Sequence, residues 1–290
     1  MPETRSEGYT FSFGDTARFR QIVIDVMTEA CSAIETEHTE GIGTLGEKQM
    51  HAAIKRFICP DKSKHEVKLY NSYGYTGSTA EDGRANRKFI ADVLTENTVY
   101  EIQTGSFSPL REKISWILEN TVYNVVVIHP IAESLWVSYI DAKNGSIGPR
   151  RKSPRHGRLE DIASQLYFFR DFINSPRFSL LILMIEADQY RKKISGEKSK
   201  KIRSKKYELI PNSLDRAYIF RSAIDYNIFV PDTLPELFTV RTYSQMAKIY
   251  GMDAYSIVKT LCHIGLLEQC GNLGKAAAYR RRAGKQTDNA

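Results

Sequence analysis

Asp92 and Glu101 are the residues whose types and surroundings could do chemistry together. Asp92 sits inside Phe-Ile-Ala-Asp-Val-Leu (89–94), and Glu101 inside Val-Tyr-Glu-Ile-Gln (99–103). An acid in an apolar run is costly to bury unless it is paired or bound to a cation. Alternate residues of a strand point the same way, so Glu101 and Gln103 share a face, and a hairpin would lay Asp92 beside them. Carboxylates gathered in this way suit a hard cation such as Mg²⁺, which prefers oxygen ligands and keeps several waters. Such an ion polarises a phosphodiester, activates water and stabilises the leaving oxygen. Glu47 on an early helix is a third candidate acid, although a helix N-terminus favours acids in any case. His51, one turn later, reads as a packing or surface histidine.

The elements that must position these groups are legible in the pattern. Apolar residues at helical spacing mark a helix from Thr16 to about Glu37 and another from about Glu47 to Phe57. Alternation marks strands at 65–70, 89–94 and 99–103, the last two forming a hairpin about Glu96-Asn97-Thr98. A polar loop with Gly74, Gly77 and Gly83 fills roughly 71–87. Ser108-Pro109 opens a helix to about Asn120. Tyr123 to His129 reads as a strand buried on both faces, and therefore parallel to its neighbours. Beyond it the pattern predicts a hairpin-like stretch at 135–141, a helix at about 159–173 and a buried strand at 178–186.

This order and spacing resembles the PD-(D/E)XK nuclease superfamily, the restriction-endonuclease-like fold with an α-β-β-β-α-β core. The resemblance covers roughly residues 44–130. The segment Glu101-Ile-Gln-Thr-Gly-Ser-Phe107, with Leu110-Arg-Glu-Lys113, also looks like a bacterial branch of it. The resemblance implies that Asp92 and Glu101 are metal ligands for Mg²⁺, with Mn²⁺ as a substitute, that Gln103 stands at the lysine position and that Glu47 is the helical acid. Ala91 replaces the name-giving proline. Gln103 replaces a lysine, and a glutamine neither takes a proton nor supplies charge. Lys113 on the following helix is the nearest source of that charge, though a solvated helix lysine is its ordinary reading.

The basic residues are clustered. The chain has 290 residues, with 41 Lys and Arg against 34 Asp and Glu, a formal charge of +7. Arg150, Arg151, Lys152, Arg155 and Arg158 form one group, the nine cations of 191–206 a second (Lys200 and Lys201 among them), and Arg280 to Arg282 a third. Each alone is commonly a solvated surface; three beside a phosphodiesterase-like core suit a polyanion, because phosphate contacts dominate nucleic-acid affinity. The last part reads as a winged helix-turn-helix: a helix over 239–250, a turn at Gly251, a recognition helix over 254–264 and a wing around 271–275. Tyr255, Ser256 and Lys259 would face DNA from it. The low charge of that helix leaves assembly, including a homodimer, as an equal use.

The longest apolar run, Phe178 to Ile185, is too short for a membrane helix. Four cysteines without a Cys-x-x-Cys pair argue for reduced thiols in a cytoplasmic protein. The expectation is an α/β protein whose mixed central sheet is flanked by helices, with a smaller winged-helix domain. Its divisions are an N-terminal arm and helix (1–40), a nuclease-like domain (41–190), a basic linker (191–210) and a winged-helix-like domain with a basic tail (211–290). The expected activity is Mg²⁺-dependent hydrolysis of DNA by an endonuclease with a Glu-x-Gln motif; the alternative is a catalytically inactive DNA-binding or regulatory protein on the same core.

Overall fold

The computed structural model describes residues 9–10, 13–37, 46–71, 89–141, 144–194 and 203–282. The polar loop at 72–88 and the pair Lys200 and Lys201 lie outside the described residues.

Two helices open the fold, α1 (Phe13–Glu37) and α2 (Gly46–Ile58). On α2 the residues Met50, Ala53 and Ile54 recur at helical spacing and are all buried. Three antiparallel strands follow: β1 is the short N-terminal pair Tyr9–Thr10, and after α2 come β2 (His65–Lys68), β3 (Ile90–Leu94) and β4 (Thr98–Ile102). Helix α3 (Leu110–Asn120) then carries the chain over to β5 (Asn124–Ile140), which runs parallel to β4 with Glu101 opposite Val127. A helical crossover is what a parallel neighbour requires. The expected order of helix, three strands, helix and parallel strand is thus present.

The sheet continues through β6 (Arg151–Lys152), β7 (Phe178–Ile194) and β8 (Arg203–Phe220). Among the described residues it has eight strands in the order β1-β8-β7-β5-β4-β3-β2, with β6 joined to β5. β7 is parallel to β5 and antiparallel to β8, so the sheet is mixed. Alternate residues feed two apolar layers. Val99, Val125, Val127, Leu180 and Ile182 belong to one layer, whereas Ile102, Ile128, Leu183 and Ile185 belong to the other, with α1 and α2.

Several expectations are corrected. The stretch 135–141 is no separate hairpin; it is the second half of β5. Pro130 hid this, because proline lacks the ladder N–H; β4 has ended by Ile102 opposite Ile128, so no neighbour there calls for that donor. The expected helix over 159–173 is two single 3-10 turns, Leu159–Ile162 and Gln165–Phe168. Phe169, Phe172 and Phe178 pack against one another there and Phe169 stacks on Phe107, and tertiary packing overrides the helical spacing. The basic stretch at 191–210 is, wherever described, paired strand and not linker: Arg191 lies opposite Lys206 and Lys192 opposite Lys205. Of its described cations Lys192, Lys205 and Lys206 are exposed, while Arg191 is half-buried and hydrogen-bonded to Ser204 and Gln189. Ahead of α1, Tyr9 and Thr10 pair with Ala217 and Arg216 of β8.

After a 3-10 segment at Ala223–Phe229 come α4 (Val240–Ala247), α5 (Gly251–His263) and the hairpin of β9 (Leu267–Leu273) and β10 (Ala276–Arg281). Gly251 has φ 61°, the left-handed turn between the helices. Ile257, Val258 and Leu261 of α5 share one apolar layer with Leu166, Phe169 and Phe178, so the core runs unbroken from the sheet into the C-terminal helices. No helix among the described residues is long and apolar enough to cross a membrane.

Candidate active site and basic groove

The β3–β4 ladder pairs Val93 with Tyr100 and Leu94 with Val99; just beyond it Asp92 and Glu101 lie close enough for the Asp92 charge to act on the Glu101 carboxyl. Asp92 Oδ2 accepts the Ile102 N–H at 2.7 Å across the hairpin. Glu101 is 2% exposed. Its Oε2 receives Lys113 Nζ at 2.5 Å, while its Oε1 is buried with no hydrogen-bond partner. Lys113 also donates to the Ile90 carbonyl at 2.6 Å, which ties α3 to the start of β3. Burial pushes the Glu101 carboxyl up to about 7; the Lys113 ammonium pulls it down, and the Asp92 charge adds to the rise.

Two residues that the sequence did not single out join this group. Lys55 of α2 is buried and reaches Glu66 Oε1 at 3.0 Å and Asp92 Oδ1 at 3.6 Å. Glu66 lies in β2 with φ 54°, a left-handed conformation that costs a residue with a Cβ of order 1 kcal/mol or more. The available signal for Lys55 was its place two turns after Glu47, at i+4 from His51 on one side of a helix. Asp92, Glu101, Lys113 and Lys55 are therefore brought together from β3, β4, α3 and α2.

Gln103 is turned elsewhere. Its amide nitrogen donates to the Ser106 carbonyl in the turn after β4, and its own carbonyl oxygen contacts His129 Nδ1 at 2.5 Å. The cation beside Glu101 is Lys113. Glu47 lies on α2, and its side chain is outside the described residues. No group of three or more His, Cys, Asp or Glu side chains able to hold a metal occurs among the described residues.

Of the basic candidates, Arg150 is already neutralised. Its Nε donates to Asp188 Oδ1 at 2.7 Å and its Nη2 to Glu186 Oε1 at 3.3 Å, with the guanidinium 4.0 Å from the centre of the Trp136 ring. Arg151, Lys152 and Arg155 are exposed and line an open cavity of about 810 Å³ together with His156, Arg191 and Lys206. On α5, Lys259 donates to Gln269 Oε1 at 3.3 Å and lies 5.6 Å from the centres of both the Tyr255 and Tyr279 rings. Tyr250, Met252 and Tyr255 are exposed around the N-terminal end of that helix.

Residues 71–221 match the model of a protein family described as a domain of unknown function, DUF8091. The chain belongs to that family. The DUF8091 segment spans β3 to β8 and so contains Asp92, Glu101, Lys113 and the basic groove, whereas Lys55 and the C-terminal helices lie outside it. A protein of Treponema pallidum (strain Nichols), described as an uncharacterized protein, is 24% identical over 244 residues, covering 83% of this chain and 87% of its own length. No solved structure matches the chain.

Proposed function

We propose that this DUF8091 protein is a metal-dependent DNA endonuclease on a restriction-endonuclease-like core, with α4, α5, β9 and β10 as a winged helix-turn-helix. The observation that carries the reading is the Glu101 carboxyl. It is buried beside Asp92, with one oxygen on Lys113 and the other without a partner. A buried oxygen of that kind costs free energy until a donor or a cation meets it.

The donor set suits Mg²⁺ or Mn²⁺. Asp92 and Glu101 would hold the ion, and water would complete its shell, as Mg²⁺ favours. Such an ion lowers the pKa of a bound water and offsets charge on a scissile phosphate. Lys113 takes over the role that Gln103 cannot fill: its ammonium holds Glu101 in place and supplies positive charge next to the attacking water. Lys55 holds the Asp92 side chain from α2. The element order α2-β2-β3-β4-α3-β5 supports the core assignment. For the winged module the support is the helix, left-handed glycine turn, helix and hairpin sequence; the apolar exposed end of α5 suits a protein partner, a second copy included, better than a DNA groove.

A second reading has an observation of its own. Lys113 already balances Glu101, and the Gln103 amide is spent on Ser106, as expected of a DNA-binding or regulatory protein on a nuclease-like core. The two readings separate on metal and cleavage. Wild type, Asp92→Asn and Glu101→Gln are incubated with supercoiled, linear and branched DNA in Mg²⁺ or Mn²⁺, and metal binding is titrated calorimetrically. The nuclease reading expects cleavage and metal binding by wild type and loss of both in each variant. Cleavage that is equal in all three proteins would sink it, and absence of carboxylate-dependent metal binding would leave the second reading.

A further inference from the structure

The cavity of about 810 Å³ beyond the end of β4 is built from parts outside the segment that resembles a nuclease. Once β4 stops, the free edge of β5 is covered by β6 and the loop after it, with Trp136 opposite Lys152 and Val137 opposite Arg151. That loop is fastened to β5 at three points. Ser153 N–H donates to the Leu135 carbonyl at 2.8 Å and Gly157 N–H to the Ala132 carbonyl at 2.9 Å, while His156 Nδ1 is 3.0 Å from the Glu133 carbonyl. Arg151 and Arg155 are thereby presented from one wall, whereas Lys152, next to Arg151 in β6 and opposite Trp136, has its ammonium 5.9 Å from the centre of that ring. Arg191 of β7 and Lys206 of β8 come from the other strands of the same groove. Asp161 is the acid that lines it.

The cations are available. Among the described residues no ion pair engages Arg151, Arg155 or Lys206. Arg191 is oriented but not neutralised: Nε and Nη2 donate to Ser204 and Nη1 to Gln189 Oε1, so three of its five N–H donors are used and the planar head is fixed with two to spare. A fork held by neutral partners keeps its whole charge for an incoming anion. The groove begins at Ala132, five residues along β5 from Val127, the partner of Glu101, or about 16 Å at the rise of a strand.

We infer that this groove grips the sugar–phosphate backbone of a DNA strand at a distance from the carboxylates. The inference rests on the DNA-directed reading above but needs no cleavage. Its test is binding in Ca²⁺ or EDTA as a function of salt, using the full chain and a labelled duplex. The variant Arg151→Gln/Arg155→Gln/Lys206→Gln removes three exposed cations. The plot of log K against log salt is expected to lose roughly 2 to 3 of its slope, at about 0.9 per phosphate contact on a duplex and 0.7 on a single strand. A control, Arg20→Gln/Arg221→Gln, removes exposed cations outside the groove and is expected to keep the wild-type slope. If the triple variant keeps the wild-type slope and affinity, the groove assignment fails while Mg²⁺-dependent cleavage by wild type, scored separately, can still stand. If wild type binds and loses slope as expected but never cleaves, the groove stands and the nuclease reading falls. Wild type with no salt-dependent DNA binding overturns both. Inorganic tripolyphosphate is added as a competitor; displacement of DNA at equal phosphate concentration would assign the groove to a free polyphosphate and overturn the backbone reading.

Discussion

Glu101 concentrates the electrostatics of the candidate site in one carboxyl. Burial raises it from 4.5 to about 7, against the pull of Lys113. Two outcomes follow from the sign. The folded value exceeds the unfolded one, so the associated stability is present below pH 4.5 and is lost as pH rises through about 7. Glu101→Gln stays neutral and escapes that loss. Thermal denaturation at pH 5, 6.5 and 8 should show the variant gaining on wild type by roughly 3 kcal/mol across the series, on top of a pH-independent offset from the orphaned Lys113. A constant difference would show that Glu101 titrates normally. A cation requires the ionised carboxylate, so Mn²⁺ affinity should climb with pH up to about 7 and then level. In Lys113→Met the lowering influence is gone, so the levelling point should move upward and cleavage near pH 7 should fall; an unmoved profile would show that Lys113 does not set the titration of Glu101.

At the scale of elements, the long strand β5 links the site to the groove. Its first half pairs with β4 and carries the parallel ladder beside Glu101, and its second half receives the basic loop. Gly157 sets how closely that loop approaches. A Cβ at this position would lie 2.5 Å from Ile131 Cγ2 and 2.6 Å from the Ala132 carbonyl oxygen, and the backbone atom cannot swing aside. Gly157→Ala should therefore push the loop off β5 and lower stability by about 1–3 kcal/mol, as overpacking does. Urea denaturation measures this, and an unchanged midpoint would show that the loop does not depend on the close contact.

Across the whole molecule, one apolar layer joins the sheet to the C-terminal helices. Leu261 of α5 is fully buried in it. Tyr243 of α4 donates its hydroxyl to the Phe229 carbonyl at 2.7 Å, and His263 Nε2 lies 3.2 Å from Asp171 Oδ1. Leu261→Ala should cost about 2–5 kcal/mol through the cavity it leaves. Both tryptophans, Trp116 and Trp136, lie in α3 and β5, so their fluorescence reports on the sheet and the helix crossing over it, not on α4 and α5 themselves. With a shared core, the tryptophan transition should shift downward in Leu261→Ala together with the helical circular dichroism signal. A tryptophan transition that stays at the wild-type midpoint would mark the C-terminal helices as an independent unit.

The sequence by itself determined the local elements that periodicity encodes. These are the helices around Met50 and Ile117, the hairpin that holds Asp92 and Glu101, the parallel strand after α3, and the two C-terminal helices with their hairpin. It marked both acids because an ionised group in an apolar run needs a reason. It also put Lys113 within reach, though its ordinary surface reading weighed more. Only tertiary structure decided which charges meet. The side chains of Lys55 and Lys113 reach the acids, and Glu66 meets Lys55, through packing of α2 and α3 on the sheet, and no spacing rule encodes a contact between separate elements. Tertiary pairing also turned a basic run into two strands, since an antiparallel partner stabilises a charged edge that hydropathy reads as linker. It neutralised Arg150 while leaving Arg151, Arg155 and Lys206 without ion pairs among the described residues, because Asp188 and Glu186 reach only as far as β7 carries them. Sequence sets the charges, and the fold decides which of them are left over for a partner.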